Sequence, residues 1–377
     1  MLALVIARHV DYHNSDFFTF WLAGHMIWSG QNPYAAHDWI SAHQQFGVTW
    51  IPNERFVYPL PLAFFYAPLG RLSLHDAYVT FVFLSQMALW IAICILLSRE
   101  PSLTDRRYLL PFVASIALFR PVWITLRNGQ MGAWLLVILV GVIQLWRNKR
   151  WFWGGMLLAL VGLKPNLGIP IIALVSLWLW RQGRKKALAG ILIAGGGLML
   201  LGMLWLPSWI VDYWAIGNTK MNQTFGYAAS LWGLAFFLAS FRYTTGMLLG
   251  WAFTLALAGG ISWMLWKHHA SLTESEVVSL AVGTALLITP YIWPYDQILL
   301  LILLVEILVE MKKRCYPYLA ITTLPLLLDG LSIGLLWVAL QIHKEVLSGL
   351  TSFVALGILL YKILYARTTE QTSSCTS

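Results

Sequence analysis

From Leu74 onward, apolar runs of roughly 15–23 residues alternate with short basic clusters, and runs of that length span or nearly span a bilayer as helices. The clusters are Arg99 to Arg107, Arg147 to Arg150, Arg181 to Lys186, Lys267 to His269 and Lys312 to Arg314. Lys/Arg-rich short loops stay cytoplasmic, so the chain must cross twice between successive clusters. The pattern places spans near 75–97, 108–126, 131–146, 151–164, 166–180, 187–206, 244–266, 277–292, 297–310, 317–340 and 345–365. Residues 11–74, the turns near 127–130 and 164–166, the segment 207–243 and the turns 290–296 and 341–344 then face outward.

Charged residues are 11% of the chain, against about 25% in soluble domains, so most side chains must meet lipid or one another. The formal charge of +9 would suggest nucleic acid in a soluble protein. Here the basic residues sit between apolar runs, which is a topology signal and excludes nucleic-acid binding. The 21 Trp and 15 Tyr supply interfacial anchors. The opening "MLALVIA" is too short to span and is followed by Arg8, so it reads as a short N-terminal stub. Three cysteines, Cys94, Cys315 and Cys375, lack metal-ligand spacing. The expectation is an all-α polytopic integral membrane protein with about eleven transmembrane helices. It forms one domain over 1–377, with 11–74 as the first outer loop and 368–377 as a disordered cytoplasmic tail.

Two outer segments carry aromatic stretches of about 10–14 residues, a length suited to interfacial or re-entrant helices. The first holds "DFFTFWLAGHMIWSG" and "YPLPLAFFYAPLGRL", the second "SLWGLAFFLASF".

Ionisable groups at membrane depth or at its edge are costly, so each is a functional candidate. Asp16 follows Asn14 and Ser15, either of which can cap a helix that Gly30 ends. In that first turn the helix dipole favours the carboxylate, a suitable general base. A plain helix-start residue would look the same. In "LFRPVWITLRNGQMGAWLL", Arg120 and Arg127 flank an Asn128-Gly129-Gln130 turn, and "VGLKPNLGIP" sets Lys164 before a helix-breaking Pro165. Cations there suit a lipid phosphate. Snorkelling also places cations at the boundary, but on the outer face they run against the topology rule and need a local reason. In "ITPYIWPYDQILLL", Pro290 and Pro294 break the helix, and Tyr291, Trp293, Tyr295 and Asp296 crowd the break. Non-helical backbone at this depth survives only against protein or a wet cavity. Aromatic faces beside a carboxylate suit a sugar. Asp329, inside "LPLLLDGLSIG", should be paired or line a cavity. "AGGGL" at 194–198 lacks dinucleotide-loop spacing and reads as close helix packing.

Together, "SDFFTFWLAGHMIWSGQNPY", "FVYPLPLAFFYAPLGRL", "RNGQMGAWLLVIL", "GLKPNLGIPII" and "TPYIWPYDQILLL" resemble glycosyltransferase family 87. These are GT-C type enzymes that include polyprenol-phosphate-mannose-dependent mannosyltransferases. The resemblance spans nearly the whole chain in order. It implies a GT-C-like fold in the cell membrane, with the active site on the outer face. It also implies transfer of a sugar, mannose first, from a polyprenyl-phosphate donor to a hydroxyl of a lipid-linked or cell-envelope glycan, with inversion. Asp16 matches the catalytic base of the first outer loop, with Asp11 as the alternative. Arg120 and Lys164 would hold the donor phosphate. Tyr34, Tyr58, Arg127, Asn128, Gln130, Trp293, Tyr295 and Asp296 would line the substrates. No cofactor or metal ligand set is implied; the partners are donor, glycan or glycolipid acceptor, and membrane lipids. The family's late motif carries His where this chain has Tyr295 or Asp296, and relatives begin with a full first helix. The rival class is a polytopic transporter or flippase of a lipid-linked or small solute, whose repeated halves are not visible here.

Overall fold

The computed structural model describes residues 6, 10–48, 51 and 53–369, without the side chains of 220–223 and 365–369. Apart from Ile6, the expected N-terminal stub lies outside the described residues, as does the tail from 370 onward.

Three short helices build the first loop region: α1 (Asp16–Trp28), α2 (Ala36–Gln45) and α3 (Leu60–Tyr66). Then come α4 (Leu74–Leu97), α5 (Arg106–Leu118), α6 (Arg120–Arg127), α7 (Gly132–Arg147), α8 (Trp151–Ala159), α9 (Pro165–Arg181) and α10 (Lys185–Trp205). The second loop region holds α11 (Trp209–Thr224) and α12 (Leu231–Leu238). The chain closes with α13 (Tyr243–Lys267), α14 (Glu274–Ile288), α15 (Leu300–Lys313), α16 (Tyr318–Ile342) and α17 (Gly349–Thr369). No strand occurs among the described residues.

Among the described residues, five helices are long and apolar enough to cross a membrane: α4, α10, α13, α16 and the stretch Val346–Leu364 around α17. A sixth crossing forms if α5 and α6, bent by 51° to each other, count as one. The remaining segments of the expected eleven are helical but shorter. Proline is one cause, because it lacks an N–H and clashes with the preceding turn. Pro121 starts α6 while Phe119 leaves helical backbone, Pro165 opens α9, and Pro290 and Pro294 separate α14 from α15. The expected span 151–164 ends as a 3₁₀ turn, Leu160–Leu163. The expected span 297–310 likewise begins within the 3₁₀ helix Pro294–Leu299.

The aromatic outer stretches form short helices as expected, and α11 adds one that the sequence pattern did not single out. Helix α17 runs through to Thr369, past the start of the expected tail. Glycines 195–197 meet nothing within 4 Å, so "AGGGL" is not a packing seam; on α10 that role falls to Gly190, where a Cβ would lie 2.2 Å from Phe152 O of α8. Asp329 is buried beside Ser115 of α5.

α4 packs on α7, α8 on α10, α9 on α14, α12 on α13, and α14 on α17. Burial runs along nearly the whole of α14 and α15, while α10 and α13 expose apolar side chains over most of their length. That contrast puts the core at the α14–α15 pair. α6 and α7 pack on the 3₁₀ helix Pro294–Leu299 that follows the break between those two helices.

Candidate active site

The turn after α6 is built by its own sequence. Asn128 caps the helix, and Gly129 takes a left-handed φ of +62°. The N–H of Gln130 returns to Thr125 O at 2.9 Å, and that of Gly129 to Leu126 O at 3.2 Å. This is a Schellman stop, whose left-handed position favours glycine. A side chain at Gly129 would also fail on space, since its Cβ would lie 2.5 Å from Phe17 Cβ. The turn is pressed against the start of α1 for a reason. Asn128 O accepts the N–H of Phe17 at 3.0 Å, filling one of the donors that every helix N-terminus leaves open. Ser15 holds the cap position, but its hydroxyl turns back to Tyr12 O at 2.8 Å. The expected Ser or Asn side-chain cap is therefore replaced by a carbonyl from another part of the chain. Asp16 is fixed by that contact in the first turn of α1, half-buried.

The other stretches are tied in the same way. Thr125 Oγ1 donates to Tyr295 O at 2.8 Å. Asn166 Nδ2 donates to Tyr291 O at 2.6 Å, and Thr289 Oγ1 donates to Asn166 O at 2.8 Å. Ala229 N–H reaches Ile292 O at 3.1 Å. The carbonyls of Tyr291, Ile292 and Tyr295 in this non-helical break are thus met by protein, which is what such backbone at membrane depth needs.

Four polar side chains from four separate motifs converge on this scaffold. Gln130 Nε2 donates to Asp16 Oδ2 at 2.7 Å, and Gln130 Oε1 accepts from Lys164 Nζ at 3.3 Å. Lys164 forms an ion pair with Asp296, and its ammonium also stands 4.8 Å from the ring centroid of Tyr295. Asp296 takes a further N–H from Trp293 at 3.3 Å. Gln130, Lys164 and Asp296 are 1%, 3% and 1% exposed, whereas Asp16 is half-buried. Burial pushes the Asp296 carboxyl up, opposed by the Lys164 ammonium and the Trp293 N–H. Burial also raises the hydroxyls of Tyr58, Tyr66 and Tyr295, with the Asp16 charge adding to each, and pushes Tyr291 up to about 12. These phenols are therefore neutral donors grouped about Asp16.

The expected residues fall into two sets. Asp16, Tyr58, Gln130, Lys164, Trp293, Tyr295 and Asp296 gather at one place. Tyr34 stands one layer back, its hydroxyl donating to Tyr58 O at 2.6 Å. Asn128 contributes its carbonyl as a cap, and Arg127 is exposed while its carbonyl accepts from Tyr78 at 2.7 Å. Arg120 pairs in bidentate fashion with Glu345, one of its two contacts being 3.2 Å, and Ser348 Oγ donates to the same carboxylate at 2.6 Å. Asp11 is exposed and caps the 3₁₀ turn Tyr12–Asn14, and the Asn14 amide holds its carboxyl below the usual range. Sequence reasoning missed Tyr66, Thr125, Asn166 and Glu345. A tyrosine closing the otherwise apolar "LPLAFFY" was the available signal for Tyr66, and an amide next to Lys-Pro for Asn166. Among the described residues no group of three or more His, Cys, Asp or Glu could hold a metal ion.

The described helices of this membrane protein thus gather an acid, an amide, a lysine and several phenols at the helix breaks. Residues 56–290 match glycosyltransferase family 87, and the chain belongs to that family: it is a membrane glycosyltransferase. No curated protein and no solved structure matches the chain.

Proposed function

We propose that the protein moves a hexose, mannose in the first instance, from a polyprenyl phosphate to a hydroxyl of a lipid-linked or cell-envelope glycan. The observation that carries this reading is the different standing of the two carboxylates. Asp296 is buried and matched by Lys164, whereas Asp16 is half-buried, sits in the first turn of α1 and is ringed by neutral phenols. Asp16 would accept the acceptor's hydroxyl proton as that oxygen attacks the anomeric carbon. The bond from that carbon to the phosphate oxygen breaks, its electron pair leaves with the polyprenyl phosphate, and the sugar carbon inverts.

Lys164 is the cation nearest this chemistry, and its field would favour the leaving phosphate. Arg120 is the second candidate, and taking that role requires it to exchange Glu345 for phosphate. Tyr58, Tyr295 and Trp293 would hold sugar hydroxyls and faces. In this reading the shorter helices pair into further crossings, giving about eleven in a GT-C-like arrangement, and the Asp16 cluster faces outward because the basic clusters stay inside.

The test is to incubate purified protein in liposomes with a panel of radiolabelled polyprenyl-phosphate sugars and extracted envelope glycolipids. Label should pass from polyprenyl-phosphate mannose to glycolipid. Movement of lipid or solute across the liposome without any transfer of label would make the protein a transporter or flippase instead.

A further inference from the structure

The amide between Asp16 and Lys164 has no freedom to turn. A lysine ammonium offers only donors and an ionised carboxylate only acceptors. The Gln130 carbonyl must therefore face Lys164, and its NH₂ must face Asp16. Flipping the amide would set donor against donor at one end and acceptor against acceptor at the other. Gln130 is 1% exposed, so water does not compete for either contact. Its backbone is fixed as well, as the last residue of the Schellman stop that also caps α1. The same turn thus fixes both partners of the 2.7 Å contact, Asp16 through Phe17 N–H and Gln130 through its own N–H.

We infer that Gln130 is a positioning residue for Asp16, keeping one carboxylate oxygen engaged and the acid ionised, while Asp296 and Lys164 act through Gln130 by holding its amide in register. The inference rests on Asp16 being the base only for its catalytic consequence; the coupling itself is a property of the unliganded protein. It differs from a sugar-binding role for Gln130, because both ends of the amide are already engaged by the protein. One oxygen of Asp16 stays held while the acid waits for a proton. Lys164 is ion-paired to Asp296.

The experiment is an infrared titration of the protein in nanodiscs, without substrate. The Asp16 band is found by difference against Asp16→Asn. In Gln130→Met, which keeps the volume and removes both contacts, the Asp16 midpoint should rise by about one to two pH units, the worth of one hydrogen bond to a charged group. Gln130→Glu provides a second variant of the same shape. It places a like charge beside Asp16 and should raise the midpoint too, read against the Asp16→Asn/Gln130→Glu double variant. A midpoint that stays put in Gln130→Met overturns the inference.

A kinetic arm with polyprenyl-phosphate mannose separates the roles further. The acid limb of kcat should move up with the infrared midpoint, while KM for the donor is unchanged. A raised KM with an unmoved limb would assign Gln130 to substrate binding and also overturn the inference. If the infrared midpoint moves but Asp16→Asn turns over as wild type does, the coupling stands and the assignment of Asp16 as base fails.

Discussion

Two clusters of buried charge lie on the same pair of core helices, and they are built differently. At the break before α15, Lys164 and Asp296 meet on turns made by Pro165, Pro290 and Pro294, and contacts run from them through an amide to a half-buried acid. Further along α15, Glu306 takes Arg99 at 2.6 Å and Lys362 at 3.3 Å, and accepts the Ser275 hydroxyl as well. These partners come from the end of α4, from α17 and from the first turn of α14. Lys362 also donates to Glu306 O at 3.1 Å. Three of the four members sit in regular helices, and the cluster draws four separate segments together. Arg99 Nε and Nη1 have no hydrogen-bond partner among the described residues.

Buried ion pairs are weak evidence for net stability, yet removing one partner is strongly destabilising because the other is left uncompensated. The Glu306 cluster fits a clasp that fixes helices. The Asp16 cluster pairs its deep members in the same way, but Asp16 itself is only half-buried. Burial alone does not mark a catalytic site. In the proposed function, it is the unequal burial of Asp16 and Asp296 that singles out their cluster.

The largest effect should come from Asp16→Asn, which keeps shape and removes the proton acceptor. Turnover should fall by about 10²–10⁴-fold with unfolding unchanged. Asp11→Asn is the control, since Asp11 is exposed and caps only a local turn; it should stay within about threefold, as surface changes usually do. Equal small losses in both variants, with donor still bound, would move the search for the base to Asp296.

Next comes the clasp. Glu306→Gln leaves Arg99 without its carboxylate in the core and leaves Lys362 with Glu306 O and the more distant Glu310, and should cost about 3–5 kcal/mol in denaturant or thermal unfolding. Activity per folded molecule should stay at the wild-type value. If catalysis falls while stability holds, the division between clasp and site is wrong.

The smallest effect should come from Arg120→Ala. The pair with Glu345 is 14% and 24% exposed, so its loss should cost about 1 kcal/mol, toward the upper end for accessible ion pairs. Donor dependence should change by less than the roughly tenfold expected for losing one charged contact to phosphate. A larger change would show that Arg120 leaves Glu345 for the donor, and would give the site a second cation.

The residue order of this chain was enough for several conclusions. Apolar runs between basic clusters made it a helical membrane protein, since only helices and closed barrels satisfy their backbone in lipid. Asp16, Lys164 and Asp296 could be singled out one by one, because a charged group at the membrane edge stands out against an apolar background. Helix crossings were less legible. Hydropathy reads composition, while Pro121, Pro165 and Pro294 cut several runs into pieces too short to cross alone.

What only the tertiary structure decided was pairing. Nothing local says that Arg120 meets Glu345, 225 residues away, or that Lys164 meets Asp296, 132 residues away. The cap on α1 comes from Asn128, and the amide between acid and lysine from Gln130. Charge can be counted along a chain, but whether it is matched depends on distances of about 3 Å between segments, and those are set by how the broken helices pack.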